Sequence, residues 1–285
     1  MENILIFGAG FLGNRISGAL ECPVYAPKIN TIEDAQKAID FYKPKVIINC
    51  IGSYGKNVDD CEKDKTKSMI AFTLAPLLLA ESAIRNGIKL VHISSGCLYK
   101  YDYAQNVPIP EDQPPDFFSL YYSRLKIYAE AALYSLGDAA NILQLRIRMP
   151  LDYIPHPRNL LTKLTSYNSV LDIPNSVTYI PDMIQALKHL LSVGAEGVFN
   201  VVNYGGLRYR ELLEEYRKYN RNFSYSIMEL SELKSVRTNL ILSTDKLEAS
   251  GYTIRDIHEC LPECVEQYVK LEKKSIYGLD TRQGK

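Results

Sequence analysis

The chain has 285 residues, enough to bury a sizeable core and better suited to one α/β unit with a smaller appended lobe than to two independent domains. Its 33 Lys and Arg balance 33 Asp and Glu with no basic or acidic block, so neither nucleic acid nor an anionic membrane is expected as a partner, and a small molecule is. The six cysteines (Cys22, Cys50, Cys61, Cys97, Cys260, Cys264) are scattered without paired metal-ligand spacing, which reads as reduced thiols and predicts no metal; Cys260 and Cys264, at i,i+4 on a helix, read as packing.

The chain enters directly into an apolar strand, Asn3 to Phe7, with Glu2 ahead of it and no basic start, which predicts a cytoplasmic protein without a signal peptide. Gly8-Ala9-Gly10-Phe11-Leu12-Gly13 follows that strand and opens a helix. In that context a G-x-G-x-x-G run is a dinucleotide turn: glycine lets the backbone approach a pyrophosphate, and the unpaired N–H groups of the helix start attract the anion. A second strand, Pro23 to Ala26, ends without the acidic residue that an NAD site uses for the ribose hydroxyls. Lys28 follows it and Arg15 lies just past the glycine turn, two cations that would welcome a 2′-phosphate, so the expected cofactor is NADP(H), with NAD(H) as the alternative.

Ala35 to Tyr42 reads as a helix and Lys45 to Cys50 as a buried strand, whose turn Cys50-Ile51-Gly52 is also assigned to the cofactor. The helix Lys67 to Asn86 contains the longest apolar run, Met69 to Ala80, whose 12 residues and Pro76 make it a core helix too short for a membrane span. Strand Lys89 to Ile93 runs into Ser94-Ser95. The stretch Leu98 to Phe118 is Pro- and acid-rich without periodicity, and so long a loop inside a domain is usually functional. Next come helix Ser119 to Leu136 and strand Ile142 to Arg148, with Gly87 and Gly137 placed as helix C-caps. Strands alternating with helices in this way predict a doubly wound parallel sheet of the Rossmann type.

After Met149-Pro150 the pieces shorten: helices at Arg158 to Tyr167, Asp182 to Leu191 and Tyr209 to Tyr219, and strands at Val170 to Ile173 and Gly197 to Val202. The expected division is an NADP-binding domain over 1–150, to which segments around 170–203 return, and a mainly substrate-binding lobe over 151–285.

Tyr122 and Lys126 share a helix face at i,i+4, and ligands in such sheets sit outside the carboxyl ends of the strands, where Ser95 lies. A serine hydroxyl can polarise a carbonyl and a tyrosine can transfer a proton to it. A neighbouring lysine depresses the tyrosine pKa and holds the nicotinamide ribose. With the glycine turn, these residues resemble the extended short-chain dehydrogenase/reductase family, and the resemblance implies Ser95, Tyr122 and Lys126 as its catalytic triad.

Closer similarity is to the plant and large-virus subgroup that makes UDP-L-rhamnose, acting as 3,5-epimerase and 4-reductase on UDP-4-keto-6-deoxy-glucose. The runs that carry it are Asn57-Val58-Asp59-Asp60-Cys61-Glu62, Gly96 to Asp102, Leu145-Arg146-Ile147-Arg148-Met149-Pro150, Pro157 to Lys163 and Ile173 to Thr178. More distantly the chain resembles dTDP-4-dehydrorhamnose reductase and GDP-L-fucose synthase, the latter with a similar Ser-Ser-x-Cys run. The resemblance implies Cys97 and Lys163 as acid/base groups of epimerisation, and in extended chain Cys97 faces the same side as Ser95. It also implies an upstream nucleotide-glucose 4,6-dehydratase and a homodimer through the two long helices. Arg158, Asn159, Arg237 and Asn239 are the candidates for the nucleotide-sugar pocket, because guanidinium groups clamp diphosphates bidentately. Two positions depart from the pattern: Phe7 stands where the subgroup has its first glycine, and Phe72 where the wider family tends to carry an asparagine.

The nucleotide is expected to be UDP, with dTDP and GDP open. Two other readings compete: a 4-reductase in which Cys97 and Lys163 are idle, and a catalytically silent NADP-binding regulatory subunit, which would have no need of Ser95, Tyr122 and Lys126 together.

Overall fold

The computed structural model describes residues 3–52, 55, 58–233 and 236–280; Asn57 of the first quoted run lies outside them. In chain order the elements of the first half are β1 (Ile4–Phe7), α1 (Phe11–Leu20), β2 (Val24–Tyr25), α2 (Ile32–Tyr42), β3 (Val46–Asn49), α3 (Lys65–Met69), α4 (Ala75–Asn86), β4 (Lys89–Ser95), α5 (Tyr121–Tyr134) and β5 (Ile142–Ile147). The second half holds β6 (Pro150–Leu151), α6 (Leu160–Leu164), β7 (Ser169–Leu171), β8 (Thr178–Tyr179), α7 (Ile180–Ser192), β9 (Gly197–Asn200), α8 (Tyr209–Arg217), β10 (Ser226–Met228), α9 (Asp245–Ala249) and α10 (Ile257–Asp280).

Six parallel strands form one sheet in the order β2-β1-β3-β4-β5-β9. Helices cover both faces, which is why β1, β3 and β5 are buried throughout and β1 and β3 are near-continuous apolar runs rather than alternating. One face packs Ile6, Ile48, Val91 and Leu145 against α1 and α7; the other packs Leu5, Ile47 and Leu90 against α2 and α4. The strand order reverses between β1 and β3, so the chain leaves their carboxyl ends toward opposite faces and a crevice opens there.

The return to the sheet is made by α7 and β9; β7 instead pairs with β10 in the second lobe, which the expected return of 170–203 did not foresee. That lobe has its own core, in which Ile257, Cys260, Leu261, Cys264, Val265 and Tyr268 of α10 face Leu212, Leu213 and Tyr216 of α8. Gly87 caps α4 at φ 60, whereas α5 ends at Ser135 and Gly137 starts a short 3-10 turn instead of capping it. Lys65–Asn86 runs as one 22-residue helical stretch, long and apolar enough by length and composition to cross a membrane, yet half of it is buried inside the protein. A π turn at Ile70–Leu74 joins α3 to α4, with the Ala75 N–H reaching back to the Ile70 carbonyl. Pro76 stands beside that turn and lacks the N–H that would bond Phe72, so the wider turn relieves a helix that proline interrupts.

Beneath the carboxyl end of the sheet, Arg146 of β5 and Glu130 of α5 form a buried ion pair. Ser94 Oγ donates to Glu130 at 2.8 Å, Arg146 donates to the Glu111 carbonyl at 3.1 Å, and its guanidinium lies over the Tyr99 ring. Breaking one side of such a pair leaves a buried charge uncompensated. Glu130→Gln is therefore expected to lower the unfolding free energy by about 3–5 kcal/mol, read from the urea midpoint at unchanged slope; a loss below about 1 kcal/mol would show the pair to be replaceable.

Candidate active site

The crevice widens into a cavity of about 680 Å³ between the sheet and the second lobe, within the range of small-molecule sites. Its sheet side is lined by Gly8, Gly10, Phe11, Leu12, Lys28, Cys50, Ile51 and Gly52; its far side by Arg158, Lys163, Arg237 and Asn239; and Ser95, Cys97, Tyr122 and Lys126 lie between them.

The glycine turn is built as its spacing predicts. Gly8 takes φ 100 and comes so close to the turn after β3 that a Cβ there would meet the Ile51 nitrogen at 2.8 Å. Gly10 is the N-cap of α1, with no side chain capping it and open space where a Cβ would stand. The first turn of α1 carries no acidic residue, so its N–H groups and dipole are left for an anion. These features fit a dinucleotide pyrophosphate, even with Phe7 in place of the expected first glycine. Exposed Lys28 stands on the rim. Burial pushes the Cys50 thiol up to about 12 and keeps it neutral.

Three expected cavity residues are turned elsewhere. Gly13 packs against the Gly8 carbonyl. Arg15 grips Asp152 with two N–H groups and lies over the Tyr153 ring, because the Asp152 side chain is fully buried and needs a cation. Asn159 caps α6: its Oδ1 accepts from Leu161 and Asp152 while its Nδ2 donates to the Asp152 and Ile154 carbonyls, leaving nothing for a ligand.

Tyr122 and Lys126 project from α5 as their spacing requires. Phe72 of the π turn meets Tyr122 edge-on at 5.2 Å between ring centroids, and Lys126 Nζ lies 5.3 Å from the Phe72 ring centre. Lys126 Nζ donates to the Ile93 carbonyl at 3.0 Å, and burial, partly offset by Glu130, lowers its pKa to about 8. Ser95 Oγ accepts the Cys97 N–H at 3.1 Å, closing a tight turn that brings both residues to the cavity. Across it, burial and the charge of Arg158 lower the pKa of Lys163.

Asn239 is buried; its Oδ1 accepts from Asn175 Nδ2, and its own Nδ2 has no hydrogen-bond partner, which leaves a donor for a bound molecule. Arg237 pairs bidentately with Asp59 across the cavity mouth. Among the lining residues that carried no assignment from the sequence are the polar side chains of Arg148, Asn175, Tyr209 and Thr238. Arg148 and Asn175 lie in motif runs, and a second arginine two residues after Arg146 was the one signal that pointed to them. His92 bonds Asn49 within the sheet, and burial pushes its pKa well down.

The depressed Lys126 predicts a measurable instability. Its folded pKa lies below the unfolded value, so the charged form destabilises the fold below pH about 8 and that penalty fades as pH rises toward 10.5. Lys126→Met is expected to unfold at a higher temperature than the parent at pH 7, with the difference shrinking by pH 10. A pH-independent difference would mean that the charge is not the cause.

Residues 2–170 match the family described as RmlD substrate binding domain. The chain is similar to the bifunctional dTDP-4-dehydrorhamnose 3,5-epimerase/dTDP-4-dehydrorhamnose reductase of Arabidopsis thaliana, 29% identical over 96% of each chain. It is also similar to a trifunctional UDP-glucose 4,6-dehydratase/UDP-4-keto-6-deoxy-D-glucose 3,5-epimerase/UDP-4-keto-L-rhamnose-reductase of that plant, 30% identical over 78% of this chain and 34% of the longer one. Among solved structures, the UDP-rhamnose synthase from Acanthamoeba polyphaga mimivirus is 28% identical with a TM-score of 0.82, covering 93% of this chain and 98% of that one. The dTDP-4-dehydrorhamnose reductase from Bacillus anthracis, solved in complex with NADP, shares the fold at 19% identity and a TM-score of 0.78, covering 92% of this chain and 98% of that one. With the match running from the first strand past the Tyr122–Lys126 helix into the second lobe, the chain belongs to the RmlD substrate-binding family.

Proposed function

We propose that the chain converts a nucleotide-linked 4-keto-6-deoxy-glucose, with UDP as the nucleotide, into the corresponding L-rhamnose nucleotide by 3,5-epimerisation followed by 4-reduction with NADPH. The observation that carries this reading is that one cavity holds a Ser-Tyr-Lys set with Cys97 beside its serine and Lys163 on the lobe side.

The cofactor's pyrophosphate would rest on the N-terminus of α1 and the Gly8–Gly10 turn, with Lys28 toward a 2′-phosphate. When bound, the nicotinamide supplies the hydride that reduces the ketone. Ser95 polarises the carbonyl and Tyr122 gives its oxygen a proton, while the Lys126 ammonium favours the tyrosinate left behind. The same carbonyl acidifies the hydrogens at the carbons flanking it. Cys97 on the sheet side and Lys163 on the lobe side remove and return those protons, and an amine whose pKa burial has lowered is suited to that work. Arg158 and the free donor of Asn239 would hold the nucleotide diphosphate and sugar, with Arg237 at the mouth.

A homodimer would form through α4 and α5 and the turns beside them, where Met69, Leu74, Tyr128 and Tyr134 are exposed. The substrate implies an upstream nucleotide-glucose 4,6-dehydratase as functional partner, an activity that the longer plant relative carries by name. The cytoplasm, where NADPH and activated sugars meet, is the compartment this chemistry suits.

The direct test is incubation with NADPH and UDP-4-keto-6-deoxy-glucose, with the product sugar identified by NMR. L-rhamnose is expected. Tyr122→Phe should abolish NADPH oxidation and leave NADPH binding within a few-fold, since only the proton donor is lost; retained turnover would remove Tyr122 from its role. Cys97→Ser should slow solvent deuterium exchange into the gluco ketone yet still reduce a ketone supplied already epimerised, because a hydroxyl is a far poorer base than a thiol near neutral pH. A parent protein that reduces the epimerised ketone and exchanges neither carbon would decide for a pure reductase.

A further inference from the structure

Two arginines stand two residues apart where β5 ends. Arg146 has a carboxylate, Glu130; Arg148, only 1% exposed, has none within ion-pair distance among the described residues. Its guanidinium donates only to neutral acceptors: Asn175 Oδ1 at 2.8 and 3.1 Å, the Gly96 carbonyl at 3.1 Å, the Thr238 carbonyl and hydroxyl at 2.6 and 3.3 Å, and Cys97 Sγ at 3.4 Å. A buried cation without a counter-charge is costly, and a fold carries one where negative charge arrives later.

The surroundings are shaped to keep it there. Gly96 lies between Ser95 and Cys97, and a Cβ on it would stand 2.7 Å from Arg148 Cγ, so the turn that presents the thiol is moulded over the arginine stem. The next residue, Met149, is held at φ 38, a conformation that a non-glycine residue rarely adopts and that clusters at functional sites. Arg148 and Cys97 both line the cavity.

We propose that Arg148 is the positioning residue for proton transfer at Cys97: it aims the sulfur into the cavity and supplies the positive charge against which the sulfur becomes negative. The inference rests on the proposed epimerase role of Cys97. Before that step the Cys97 thiol gives its proton to the Lys163 amine across the cavity, and the sulfur is then negative beside Arg148. The thiolate takes a proton from a carbon beside the ketone: the C–H bond breaks, an S–H bond forms, and the carbon's electron pair moves to the carbonyl oxygen as an enolate, which the Lys163 ammonium reprotonates at carbon from the opposite face, restoring thiol and amine. Arg148 exchanges no proton and serves only while charge passes through the sulfur. Reduction by Ser95, Tyr122 and Lys126 does not use it.

The test compares Arg148→Gln and Arg148→Lys with the parent in three measurements. In Arg148→Gln, deuterium exchange into the gluco ketone without NADPH should fall by about ten- to a hundredfold, the worth of one hydrogen bond to a charged group, while NADPH oxidation with the epimerised ketone stays within a few-fold. Arg148→Lys keeps the charge and should recover part of the exchange. Alkylation of Cys97 by iodoacetamide, followed by peptide mass, should slow in the same order with no substrate present. Exchange and reduction falling together, or alkylation unchanged in both variants, would overturn the proposal. A parent that shows no exchange defeats the epimerase reading instead, and alkylation still decides whether Arg148 acts on the thiol. Should Arg148→Gln fail to fold, the lysine variant carries the same contrast at smaller amplitude.

Discussion

A carboxylate and a guanidinium, both almost wholly withdrawn from water, face each other between α5 and β5, and the layout of the cavity depends on that pair. Glu130 lies one helical turn beyond Lys126, so whatever fixes Glu130 fixes the rotation of the helix that presents Tyr122 and Lys126. Arg146 is anchored in the sheet, and the Ser94 hydroxyl joins the pair from β4. Successive strand residues point to opposite faces, so with Ser94 bound to Glu130 its neighbour Ser95 is turned toward the cavity. The long Leu98–Phe118 loop is tied in as well, through the Glu111 carbonyl and the Tyr99 ring. Desolvating two charges is expensive, and what makes the pair tolerable is that their remaining hydrogen-bonding capacity is met.

A second set of contacts holds the lobe against the cofactor turn. Asp152 receives Arg15 from α1, and His156 stacks on Phe11 at 4.4 Å between ring centres, so the helix that would carry the pyrophosphate is the one that the lobe grips. At the opposite rim the Arg237–Asp59 pair spans the mouth. Within this frame Lys126 is kept charged against its burial, an instability the fold tolerates because its other contacts are satisfied.

What the sequence disclosed follows from the range of each interaction. The parallel strands, the crossover helices, the glycine turn and the Tyr122–Lys126 spacing depend on neighbours within a few residues, and they were legible. Strands β6, β8 and β10 have two or three residues, too few to show a period, and they went unseen. The π turn was hidden for a similar reason, since only Pro76 marked it. Arg15 read as a cofactor cation because its partner Asp152 lies 137 residues away; Asn159 read as a substrate contact because a cap looks like any polar residue before a helix. Arg148 is the clearest case: its acceptors come from Gly96, Asn175 and Thr238, which only the fold assembles.

Phe72 closes the helix side of Tyr122. It is 2% exposed, set edge-on against Tyr122 with Lys126 at its face, where the resemblance implies an amide side chain. A phenyl ring has no exchangeable proton, so the Phe72 side chain passes none to Tyr122. On the proposed chemistry, the ring shields the side of Tyr122 that it covers, and the cavity that Tyr122 lines is the space through which both the substrate and the returning proton come. The phenylalanine shapes that space without donating or accepting a hydrogen bond through its side chain.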